Sequence, residues 1–66
     1  MKLWVDESAD ALYLRLDDSQ IIESQEVAPG VVLDYNEKQE VVGVEILGLS
    51  RRVPKAMLRE FQYQTQ

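Results

Sequence analysis

Two runs of β-branched and aliphatic residues, Val31-Val32-Leu33 and Val41-Val42-Gly43-Val44-Glu45-Ile46-Leu47, flank the polar tetrapeptide Asn36-Glu37-Lys38-Gln39. Such a pattern predicts a β-hairpin. Val31, Leu33 and Tyr35 share one face of its first strand, and Val42, Val44 and Ile46 share one face of its second. With Asn36 to Gln39 as the loop, Tyr35 is expected opposite Glu40, Leu33 opposite Val42, and Val31 opposite Val44. A loop one residue longer or shorter places the two apolar sets on opposite faces, so the hydrophobic pattern selects the register.

The flanking chain supplies more strands. Lys2–Val5 and Ala11–Leu16 are expected to form a first hairpin around the small and acidic residues Asp6 to Asp10. Leu12, Leu14 and Leu16 alternate with Tyr13 and Arg15, the period of a half-buried strand. Pairing Val5 with Leu12 and Leu3 with Leu14 puts Trp4 opposite Tyr13 on the other face, a favourable aromatic pair. Residues 21–28 turn from Ile21-Ile22 to Glu23-Ser24-Gln25-Glu26 and suit an edge strand guarded by charge. Pro29-Gly30 is a tight turn into the central hairpin.

Past Gly48 the periodicity changes. Pro54 suits the first turn of a helix, and Met57, Leu58 and Phe61 form one apolar stripe. The expected fold is α+β, an antiparallel meander of about five strands with one C-terminal helix packed on the face of Leu14, Leu33, Val42 and Val44. A single domain spans 1–66: an acidic sheet body, 1–49, and a basic helical tail, 50–66.

Three separated blocks, Asp6 to Leu16, Gly30 to Tyr35 and Val42 to Leu47, resemble in order and spacing the small prokaryotic proteins of domain-of-unknown-function family 2283. The resemblance covers residues 1 to about 50. It implies the fold of that family, for which no activity is established, and an antitoxin-like context beside small toxin-like proteins.

Chemistry is constrained by what is missing. With no His and no Cys, the usual base near neutral pH and the thiolate nucleophile are both absent, and no glycine-rich phosphate loop replaces them. An enzyme is not expected, and no cofactor is. Asp6 and Asp10 on one turn are candidate ligands for a hard divalent cation; the alternative is that they accept hydrogen bonds from the turn's own amides.

Charge separates along the chain. Residues 1–49 carry three basic against eleven acidic residues, and residues 50–66 carry Arg51, Arg52, Lys55 and Arg59 against Glu60. The body is therefore −8 and the tail +3. An acidic body repels nucleic acid and attracts basic partners. The basic quartet is either an anion contact or a set of solvated or paired charges.

A chain of 66 residues buries only roughly 60% of its unfolded surface, which makes help from association an expectation. If the helix covers one face, Trp4, Tyr13, Val32 and Val41 remain on the other as a self-association patch for a homodimer, unless the tail wraps over them. A small basic protein is expected to meet Glu23, Glu26, Asp34 and Glu45, with Met57 and Phe61 as apolar anchors. The alternative function is a cation- or small-ligand-binding domain using Asp6 and Asp10. Neither a signal segment nor a run of about 20 apolar residues occurs, and a soluble cytoplasmic protein is the expectation.

Overall fold

The computed structural model describes residues 1–66. Five strands, β1 (Lys2–Asp6), β2 (Ala11–Arg15), β3 (Glu23–Ala28), β4 (Val31–Tyr35) and β5 (Val41–Leu47), form one sheet in the order β1-β2-β5-β4-β3. Every neighbouring pair is antiparallel. The sheet is not a meander: β5 inserts between the first hairpin and β4, so the chain closes on itself at the sheet centre.

The first hairpin has the expected register, with Leu3 opposite Leu14, Trp4 opposite Tyr13 and Val5 opposite Leu12. In the central hairpin Leu33 faces Val44 and Val31 faces Ile46, two residues from the expected partners. The cause lies in the loop. Asn36 Oδ1 accepts the amides of Lys38 (2.9 Å) and Glu40 (3.0 Å), and the Asn36 amide donates to the Glu40 carbonyl (3.1 Å). That closure sets Tyr35 against Val41, a pairing that alone would send the two apolar sets to opposite faces. One extra residue on β5, Val42, restores the match as a β-bulge. Val42 is buried, and its carbonyl accepts the Leu16 amide at 2.8 Å.

Directly opposed residues share a face, so the pairings sort the sheet into two sides. One carries Leu3, Val5, Leu12, Leu14, Ile46, Val44, Val31 and Leu33. The other carries Trp4, Tyr13, Arg15, Glu45, Gly43, Val32, Asp34, Ser24 and Glu26.

The expected C-terminal helix is absent, and the α+β assignment is corrected to an all-β sheet. The residues after β5 make only two 3-10 turns, Leu49–Arg51 and Lys55–Met57, and run without regular structure from Glu60. Isolated helices below about 12–15 residues are marginal without packing. Here Pro54 at the cap position offers no side-chain acceptor, no acid stands in the first turn, and three stripe residues confined to one turn give little to bury. Nor does the stripe reach the Leu14 and Leu33 face. Leu58 and Phe61 instead line an open cleft with Trp4 and Tyr13 at the β1 end of the sheet. No helix is long and apolar enough to cross a membrane.

Candidate functional site

The polar face of the sheet is built around Gly43. A Cβ there would meet Asp34 Oδ2 at 2.8 Å and Tyr13 Oη at 2.9 Å, so the absence of a side chain lets both groups lie across the strand. Asp34 is only 2% exposed, and its Oδ1 accepts the Ser24 hydroxyl at 2.6 Å. Arg15 Nη1 donates to Tyr13 Oη at 3.2 Å. Glu45, diagonal to Asp34 across the β4–β5 pair, completes a carboxyl pair. Partial burial raises the Glu45 pKa, and the adjacent Asp34, through its charge and a hydrogen bond between the two carboxyls, raises it further.

Sequence reasoning missed this pair. In the expected register Asp34 stands opposite Val41, far from Glu45; the observed one sets Asp34 opposite Gly43 and next to it. A glycine between β-branched residues was the available signal, since in a strand it marks close approach.

Asp6 and Asp10 serve the architecture of the first turn. Asp6 Oδ1 accepts the Ser8 hydroxyl (2.8 Å) and the Ala9 amide (3.0 Å). Those bonds, the Ala9 amide first, hold the Asp6 carboxyl below its ordinary pKa. Asp10, with φ of 54°, ties the hairpin to the chain after β5: Ser50 donates its amide and its hydroxyl to the two carboxylate oxygens, each at 2.8 Å, and the Leu49 amide donates to the Asp10 carbonyl at 3.0 Å. Leu49 is buried at this junction.

Of the self-association candidates, Trp4 and Tyr13 stack with ring centroids 5.6 Å apart. Glu45 lies between Tyr13 and Val32 in the pairing, and Val41 opposes Tyr35 beyond the bulge. The four do not form one patch.

The partner candidates also separate. Glu23 and Glu26 are exposed on β3, at one edge of the sheet. Phe61 lines the cleft beside Trp4 and Val5 of β1, at the other, and Met57 precedes it in the same tail; each is 54% exposed. Four strand spacings, roughly 19 Å, divide the two groups. Asp34 is enclosed rather than presented.

Among the basic residues of the tail, Arg59 makes two contacts to Glu7, at 3.0 and 3.2 Å, which lower the Glu7 pKa. Arg52 donates to the Pro29 and Leu47 carbonyls. Both side chains are engaged by the body.

Residues 2–50 match the model of a family described as a protein of unknown function (DUF2283). No curated protein and no solved structure matches the chain.

Proposed function

The chain belongs to the DUF2283 family, and from that premise we propose that it is a non-enzymatic, antitoxin-like interaction module that receives a basic segment of a small protein along β3. The observation that carries this reading is the edge itself. All six residues of β3, Glu23-Ser24-Gln25-Glu26-Val27-Ala28, are exposed, and β4 is the strand's one neighbour in the sheet. An unpaired strand edge is a template for an added strand, and the acids on it select a basic one. Their side chains touch only local groups: Glu23 accepts from Gln25 at 3.2 Å and Glu26 from the Gly30 amide at 3.0 Å.

A non-catalytic role fits the polar face. A reacting group must reach its substrate, whereas the Asp34 carboxyl is covered by its own sheet.

Affinity capture from the native host at low and raised salt tests the proposal, run with the protein and with a Glu23→Lys, Glu26→Lys double variant. A basic protein held at low salt, released by salt and lost with the double variant is the expected result. Capture indifferent to both changes contradicts it.

A further inference from the structure

The side of the sheet away from Tyr13 and Asp34 has no second layer. Leu3, Val5, Leu12, Leu14, Val31, Leu33, Val44 and Ile46 occupy it, and not one of the eight is buried; Leu3 is 46% exposed. The buried apolar side chains of the whole chain are Val42 and Leu49. A sheet with one apolar face requires another layer over it, because domains are built from two packed layers. The tail does not provide it: Leu58 and Phe61 lie with Trp4 and Tyr13, and of the eight only Val5, on the outer strand β1, lines that cleft.

We propose that this face packs against the same face of a second copy, giving a two-fold β-sandwich in which each chain is the other's second layer. Three observations select a copy over another occupant. The first is area: the chain exposes 5337 Å², whereas a compact folded monomer of 7.6 kDa exposes about 4,300 Å². The excess, roughly 1,000 Å², is of the order that each partner contributes to a stable interface, about 800 Å². Residues 60–66, exposed and without regular structure, supply part of it and the uncovered face the rest.

The second is charge. All eight positions are aliphatic, with Gln25 and Glu23 at the β3 margin, so two acidic bodies meet there without opposing like charges. The third is availability: a layer needed for the sheet to fold must be present whenever the chain is. A copy satisfies that condition.

The inference is independent of the partner assigned to the β3 edge. Light scattering on the purified protein at micromolar concentration is expected to give twice the 7.6 kDa chain mass. With one copy isotope-labelled and the other not, filtered NMR spectra are expected to show contacts between the methyls of Leu14 and Val44 and the unlabelled chain. Leu14→Glu can fail to fold, so the decisive variant is Leu3→Lys at the exposed margin, expected to weaken dimerisation about tenfold or more. Trp4→Glu on the opposite face is expected to leave the dimer intact. A folded monomer at every concentration overturns the proposal. So does a dimer that Trp4→Glu dissolves and Leu3→Lys does not, or one without methyl contacts between copies.

Discussion

Gly43 shows how one residue arranges the polar face. Gly43→Ala places a methyl against the Asp34 carboxylate and the Tyr13 hydroxyl, both under 3.0 Å away, and one of them must move. Urea denaturation is expected to show a loss of about 1–3 kcal/mol. Glu45 makes the companion case in charge. Burial and Asp34 raise its pKa above the ordinary 4.5, so between that value and the raised one the native state holds a proton that the unfolded chain has released. Stability from this group is full below pH 4.5 and falls as pH rises through the raised pKa. Asp6, Glu7 and Asp17 carry lowered pKa values and act in the opposite sense, losing stability as pH falls. Melting curves across mildly acidic pH are therefore expected to show a decline toward neutrality that Glu45→Gln flattens; an unchanged decline in that variant contradicts the assignment. None of this was legible from composition, because Asp34 and Glu45, eleven residues apart in sequence, become neighbours only in a register that the loop decides.

The elements show where the pattern of residues sufficed and where it did not. The first hairpin was legible to the residue because Leu3, Val5, Leu12 and Leu14 allow one pairing that keeps them on one side. In the central hairpin the same pattern identified the faces correctly. It could not see that the Asn36 side chain would close the loop out of step and that Val42 would absorb the error. Asn36→Ala removes the acceptor of two amides and the Nδ2 bond to Glu40 at a buried position. The expected cost is about 1–3 kcal/mol in chemical denaturation. The tail misled for a different reason: apolar spacing at Met57, Leu58 and Phe61 matches a helix, but helices of this length depend on a surface to pack on. No residue beyond Val53 is buried, and Arg59 to Glu7 is an exposed ion pair. Removing residues 54–66 is therefore expected to change stability by no more than about 1–2 kcal/mol, with the strand spectrum in circular dichroism retained.

At the scale of the molecule, the surfaces fall on three sides. The acidic edge β3, the aromatic pair Trp4 and Tyr13 with the tail beside it, and the aliphatic face point in different directions. Each is suited to a different task, and the aliphatic face decides whether the chain can stand alone. A sheet that gains its second layer only from a copy folds and associates in one step, so its stability depends on protein concentration. The thermal midpoint measured over a hundredfold range of concentration tests this most directly. With an unfolding enthalpy near 0.7 kcal/mol per residue over two chains, coupled folding and association predict a rise of about 10 °C across that range. A midpoint that stays constant across the range contradicts it.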